Sequence, residues 1–232
     1  GKSIQDYLDA YSDMVDIFKL SGKQAALMNE KSLTNFIETC KSSNVMVSIG
    51  NPVMDVALQG GRNIVNEFIE KSSDLGIDII EISSIARSID DGDTCRLIEN
   101  ISKKGIKPLN EIGIAFAHSK VDDNSIFINK LVNQSKKFLE AGSWKILLES
   151  EGLTENVEKN KYRWNIIDKI LSPLNLSQFI VEADEQDVMC KYIEIFGPNI
   201  NMMVDCTRLL KMEDARLGYG PSQFLWGKVV KY

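Results

Sequence analysis

The sequence predicts an α/β chain of repeated βα units, a (β/α)8 TIM barrel over residues 1–232 as a single domain. Three observations predict it. Seven short apolar runs have strand character and recur about every 30 residues, the length of one βα unit. Segments with helical spacing separate them. Several of those helices end in a glycine that leads directly into the next strand.

The predicted strands are Val15 to Leu20, Val45 to Ile49, Ile77 to Ile82, Lys107 to Glu111, Lys145 to Leu148, Gln178 to Val181 and Ile200 to Val204. Most are continuously apolar rather than alternating, as expected of strands covered on both faces. The chain opens on an amphipathic helix with Ile4, Leu8, Tyr11 and Val15 on one face. Ile64, Val65, Phe68 and Ile69 share a face in a later helix, as do Leu97, Ile98 and Ile101. Ile128, Leu131, Val132, Phe138 and Leu139 do so in the next. Gly76, Gly105, Gly142 and Gly197 close helices in the left-handed conformation that starts a short αβ loop. Gly60-Gly61-Arg62 lies in a connecting segment without GxGxxG spacing, which argues against an open nucleotide-binding sheet. Seven strands are one short of a closed barrel, and a strand upstream of Gly1 would complete it.

Composition narrows the function classes. The 232 residues are 44% hydrophobic and 26% charged, and 27 basic against 33 acidic residues give a net charge of -6. That balance argues against a nucleic-acid-binding protein. No apolar stretch is long enough for a membrane span, and no secretory leader is visible at the start, so a cytoplasmic protein is expected. Cys40, Cys95, Cys190 and Cys206 form no CxxC pair and read as reduced, mostly buried thiols. With His118 the one histidine, acid–base chemistry falls to carboxylates, lysines and tyrosines. Trp144, Trp164 and Trp226 read as packing residues, Met202 and Met203 as core, and Glu155 to Arg163 as a solvated excursion.

The chemistry lies in what ends each strand. Glu81, Glu111, Glu149, Glu182 and Asp205 terminate five of the seven, and Lys19 sits near the end of the first. In a barrel these positions converge on the C-terminal rim, where the active sites of this fold sit. Carboxylates crowded together need a counter-charge, from Lys19 or from a hard cation such as Mg2+. The alternative is that such acids merely cap strands and bond to loop amides.

Several motifs together resemble the phosphosulfolactate synthase family. They are Glu81-Ile82-Ser83, Glu111-Ile112-Gly113, Glu140-Ala141-Gly142, Val181-Glu182-Ala183, Phe196-Gly197-Pro198-Asn199-Ile200-Asn201, Met212-Glu213-Asp214-Ala215-Arg216 and Trp226-Gly227-Lys228-Val229. The resemblance implies a barrel that adds sulfite to phosphoenolpyruvate with Mg2+, the first step toward coenzyme M. It implies Lys19, Glu111 and Glu149 as catalytic residues, and Ser83, Asn201, Arg216 and Gly218 as substrate-binding residues. Glu81, Glu111, Glu149 and Glu182 become the metal ligands, in a homo-oligomer acting on a small anionic substrate. A plant heat-stress-associated protein of the same superfamily carries the other reading, a catalytically inactive barrel kept for binding, assembly or stress protection.

Departures from the family pattern concentrate on charge. Ser21-Gly22-Lys23-Gln24 stands where the family has Gly-Trp-Gly-Thr, and Ile49-Gly50-Asn51-Pro52 where it has Gly-Gly-Thr. Ser84 replaces an acid, Ile114 and Ala115 replace two lysines, and Asp184-Glu185-Gln186 replaces Pro-Gln-Lys. An anionic substrate pair normally meets arginine and lysine. The remaining groups able to meet a phosphate are Lys19, Lys23, Arg87, Arg216 and the amides of Gly218-Tyr219-Gly220.

Overall fold

A computed structural model describes residues 2–83, 89–114, 125–220 and 222–228. All seven expected strands are present: β1 Ile17–Leu20, β2 Met46–Ile49, β3 Ile79–Ser83, β4 Lys107–Ile112, β5 Lys145–Leu148, β6 Phe179–Glu182 and β7 Met202–Met203. The hydrogen-bonded sheet orders them as they occur in the chain. Between them run α1 Lys2–Tyr11, α2 Gln24–Leu27, α3 Glu30–Ser42, α4 Asn51–Gln59, α5 Arg62–Leu75, α6 Asp91–Lys103, α7 Ser125–Glu140, α8 Trp164–Leu171, α9 Gln186–Phe196 and α10 Leu209–Arg216. Contacts group the chain into two compact units. One comprises residues 1–110 with 138–144, the other 111–137 with 145–232. No described helix is long and apolar enough to cross a membrane.

In the first unit β1 and β2 pair in parallel with Lys19 opposite Ser48, and β2 pairs β3 with Ser48 opposite Ile79. Every residue of β3 is buried, the continuous burial that its unbroken apolar run predicts. Ile37 and Cys40 of α3, Met54 of α4, Ile69 of α5 and Ile98 and Ile101 of α6 fill the space against these strands. Asn29 caps α3 by accepting the Ser32 amide, and Asp90 caps α6 by accepting that of Gly92. Gly76 closes α5 at φ +80°, and the Ile77 amide returns to the Ser72 carbonyl at 2.9 Å. A side chain there would be strained, so the glycine sets where α5 stops and β3 begins.

The second unit pairs β5 with β6 and β6 with β7, again in parallel. Its core is built from Ile146 and Leu147 of β5, Phe179 and Val181 of β6, Ile166, Ile167 and Ile170 of α8, and Tyr192 and Ile193 of α9. Trp164 packs edge-on against Tyr192 with centroids 5.1 Å apart, the packing role expected of it.

Several expectations need correction. Val15 belongs to neither the α1 face nor β1: its amide closes the Ser12–Met14 turn on the Ser12 carbonyl. Met202 and Met203 are half-buried, and β7 is only these two residues. Trp226 is exposed. Cys206 is exposed, whereas Cys40 and Cys190 are buried. The run Glu155 to Arg163 after β5 holds no buried residue, as expected of a solvated excursion, and a closed turn leads into it. Leu153, Thr154 and Glu155 all donate their amides to the Ser150 carbonyl, and Leu153 and Thr154 are buried.

Candidate active site

Chemistry-bearing side chains gather at the carboxyl ends of the strands in two groups, one in each unit. In the first, the parallel register puts Lys19, Ser48 and Glu81 on one face of the sheet, because partners and residues two apart share a side. Lys19 Nζ lies 2.9 Å from Glu81 Oε2, with the Glu81 side chain wholly buried and that of Lys19 19% exposed. The Ser48 hydroxyl approaches Glu81 Oε1 at 3.5 Å. Ser83, two residues on, is buried on the same strand. The lysine reaches its partner over Gly50. A Cβ built there would lie 3.3 Å from Lys19 Cε and 3.3 Å from the Leu20 carbonyl oxygen. Glycine at position 50 thus clears the path of the lysine stem.

The second group is acidic. Glu149 directly follows β5 and Glu182 ends β6. Together with Glu155 they each offer an oxygen, all within 4.8 Å of one another. Glu155 is delivered by the turn that closes on Ser150, whose hydroxyl donates to Glu155 Oε2 at 2.7 Å and approaches Glu182 Oε2 at 3.2 Å. Burial raises the Glu149 carboxyl above the usual range, and the charge of nearby Glu111 adds to it. Hydrogen bonding to Glu182 and to the Glu151 amide pulls the other way. Glu111 itself is buried near the end of β4. Asp184, two residues beyond Glu182, is raised to about 6. Burial is the main cause, followed by the charges of Glu182, Glu155 and Asp205.

The expected site residues therefore divide. Lys19, Glu81 and Ser83 belong to the first group, and Glu111, Glu149 and Glu182 to the second. Asp205 stands apart as a cap. It accepts the Thr207 hydroxyl at 2.6 Å and amide at 2.8 Å, bonds that hold its carboxyl below the usual range.

Asn201 is not brought to the carboxylates either. Its side-chain amide donates to the Phe179 carbonyl at 2.8 Å, at the start of β6 and the opposite end of that strand from Glu182. Arg216 donates to the Ile200 carbonyl at 2.9 Å, ahead of β7. The Gly218 and Tyr219 amides, expected to meet an anion, instead close α10 on the carbonyls of Ala215 and Asp214. Lys23 is exposed before α2. Arg87 and His118, with the replacements Ser84 and Ala115, lie outside the described residues. Sequence reasoning missed Ser48, Ser150 and Glu155, and met Asp184 only as a departure from a motif.

A set of hard oxygen donors this crowded suits a hard divalent cation, whose charge would offset the burial and the Glu111 charge that raise Glu149. The first group suits a different task, holding one ammonium at a fixed point beside a buried carboxylate.

The chain is 22% identical over 230 residues to Protein HEAT-STRESS-ASSOCIATED 32 of Arabidopsis thaliana, covering 92% of this chain and 79% of that one. It is 22% identical over 233 residues to phosphosulfolactate synthase of Methanocaldococcus jannaschii, covering 98% and 90%. In fold it is similar to the crystal structure of the YdjI aldolase from Escherichia coli K12. That match has a TM-score of 0.57 at 11% identity and covers 97% of this chain and 80% of the aldolase. The family model of (2R)-phospho-3-sulfolactate synthase (ComA) matches residues 1–220. The chain belongs to the (2R)-phospho-3-sulfolactate synthase (ComA) family.

Proposed function

We propose that the protein is a lyase of the phosphosulfolactate synthase type, a closed (β/α)8 barrel adding sulfite, or a related sulfur nucleophile, to phosphoenolpyruvate. The observation that carries this reading is the convergence of Glu149, Glu155 and Glu182 to within 4.8 Å at the ends of β5 and β6, in a chain of this family. Those three carboxylates, with Glu111 beside them, fit Mg2+ as oxygen donors. Bound there, the ion would stabilise negative charge developing on the substrate's carboxylate and enolate oxygens.

The family's product name fixes what must move. A carbon–sulfur bond forms at the methylene carbon of the enolpyruvate, the double-bond electrons shift to the carboxylate-bearing carbon, and that carbon takes a proton. Lys19 is the group assigned to deliver a proton or to balance a carboxylate or phosphate. Its ion pair with buried Glu81 holds the ammonium in place. Ser83 on the same strand would orient the substrate. Glu149, whose carboxyl burial raises above the usual range, is the carboxyl assigned to proton exchange with the substrate. A homo-oligomer acting on a small anionic substrate completes the reading.

One observation favours a second reading. Glu155 and Asp184 add negative charge beside Glu182, where an anionic substrate pair calls for cations. On that reading the chain is a non-catalytic relative kept for binding or assembly, and the Arabidopsis relative, named for its association with heat stress, is the nearer analogue.

A thermal-shift titration with Mg2+, phosphoenolpyruvate and sulfite separates the two. The lyase reading expects phosphoenolpyruvate to stabilise the protein only with Mg2+ present, and Lys19→Ala to abolish that response. The non-catalytic reading expects no response in the folded wild type.

A further inference from the structure

Ser150 stands among the carboxylates of the second unit and is buried, at 2% exposure. Successive residues of a strand face opposite sides of a sheet. The chain leaves β5 at Leu148, so Glu149 and Ser150 are released from that alternation and both reach the cluster. The amides of Leu153 and Thr154, at 2.9 Å, and of Glu155, at 3.0 Å, converge on the Ser150 carbonyl. That turn fixes the backbone from which the hydroxyl projects.

The hydroxyl faces two carboxylates at once. Oγ lies 2.7 Å from Glu155 Oε2 and 3.2 Å from Glu182 Oε2. A serine hydroxyl has one proton to donate. The shorter contact takes it, which leaves a Ser150 lone pair toward Glu182. The Ser150 amide is a distant partner for that carboxylate oxygen, at 3.5 Å. Two oxygens so placed, away from water, call for a positive charge beside them, a proton or a metal ion.

We propose that Ser150 is itself a ligand of the divalent cation, its hydroxyl oxygen a neutral donor beside Glu149, Glu155 and Glu182. The inference rests on the cation reading of that cluster. Around an octahedral Mg2+ with oxygens at about 2.0–2.1 Å, neighbouring ligands lie roughly 2.9 Å apart. The 2.7 and 3.2 Å separations around Ser150 Oγ bracket that spacing. The hydroxyl keeps its proton for Glu155 and turns a lone pair to the ion, as a serine or threonine does for Mg2+ in phosphate-binding loops. Three carboxylates already exceed the charge of a dication. A neutral oxygen adds a ligand without adding to that excess.

Cadmium absorption of Ser150→Cys tests direct ligation, because a thiolate favours a soft metal and a sulfur–cadmium bond adds an ultraviolet charge-transfer band. Titration with Cd2+ is expected to give a saturable band beyond that of the wild type with its four native cysteines. Ser150→Ala is expected to weaken Mn2+ binding, followed by electron paramagnetic resonance, about tenfold. It should do so in the Glu155→Gln background as well, where a residue that merely held Glu155 in place would change nothing. That comparison decides the matter should Ser150→Cys fail to fold. A folded Ser150→Cys without the band, or a Ser150→Ala effect that vanishes in the Glu155→Gln background, overturns the ligand role and leaves the carboxylate site standing. A wild type that takes up no Mn2+ overturns the cation site of the proposed function, and the ligand role with it.

Discussion

Replacing Lys19 with methionine keeps the stem that passes over Gly50 and removes only the charge. Glu81, whose side chain is wholly buried, then loses the ammonium 2.9 Å away. Ser48 at 3.5 Å is too distant to make good that loss. Without that ammonium the carboxylate has two courses, to stay ionised in burial or to take up a proton. Holding a reference glutamate, with pKa about 4.3, neutral at pH 7 costs about 3.7 kcal/mol, and this bounds the loss because the cheaper course prevails. The bound agrees with the ~3–5 kcal/mol typical when one partner of a buried pair is removed. At pH 5 the same arithmetic leaves about 1 kcal/mol. Urea unfolding of wild type and Lys19→Met at both pH values measures the difference. The expectation is a loss of about 3 kcal/mol at pH 7 that shrinks to about 1 kcal/mol at pH 5, and a smaller loss at pH 7 for Lys19→Met/Glu81→Gln. A pH 7 loss under about 0.5 kcal/mol, or an equal loss at both pH values, would refute the reading of Glu81 as a buried charge held by Lys19.

Other consequences follow from the same geometry. Asp184 is raised to about 6 in the folded protein, so its ionisation destabilises the fold fully above that pH, and the penalty disappears as pH falls toward the unfolded value. With a chelator present, Asp184→Asn should therefore melt higher than wild type at pH 7.5 and level with it near pH 4. Glu155→Gln should weaken Mg2+ binding about tenfold by calorimetry, and binding to the wild type should be weaker at pH 5.5 than at pH 7.5, because protons held by Glu149 and Asp184 compete with the cation. Gly50→Ala puts a methyl 3.3 Å from both Lys19 Cε and the Leu20 carbonyl oxygen, and should cost about 1–3 kcal/mol in chemical denaturation. Asn201→Ala should lower stability by about 1 kcal/mol through its lost bond to the Phe179 carbonyl, while thermal-shift responses to ligands stay as in the wild type.

The strands were the legible part of the sequence, for a physical reason. Where both faces are covered the run is continuously apolar, and where a helix must stop against the sheet a glycine marks the spot. β5 was read with its observed ends, Lys145 and Leu148. The ends of β1 and β7 were misjudged because Val15 and Val204 look like strand residues, and only turn hydrogen bonding or its absence separates them from the ladder.

In the site, strand-borne acids were legible because their position in the repeat fixes their end of the sheet. The same topology argues against Asn201 and Arg216 as rim residues. Asn201 precedes β7, and Arg216 closes α10, which runs back toward the strands' amino ends. Both sit where βα geometry puts them, and that signal was available. Glu155 left no such trace. A turn carries no period, and only Gly152, at φ +74°, hints at the tight closure that returns residue 155 toward β6. Asp184 and Ser150 matter through burial and neighbouring charge, which spacing along the chain does not reveal.

The proposed function is the addition of a sulfur nucleophile to an enolpyruvate phosphate. Phosphorus NMR of the purified protein with phosphoenolpyruvate, sulfite and Mg2+ tests it most directly. The account predicts a new phosphoester resonance that grows with time, requires all three additions, and is lost in Lys19→Ala and Glu149→Gln. A folded protein that leaves the phosphoenolpyruvate resonance unchanged would contradict it.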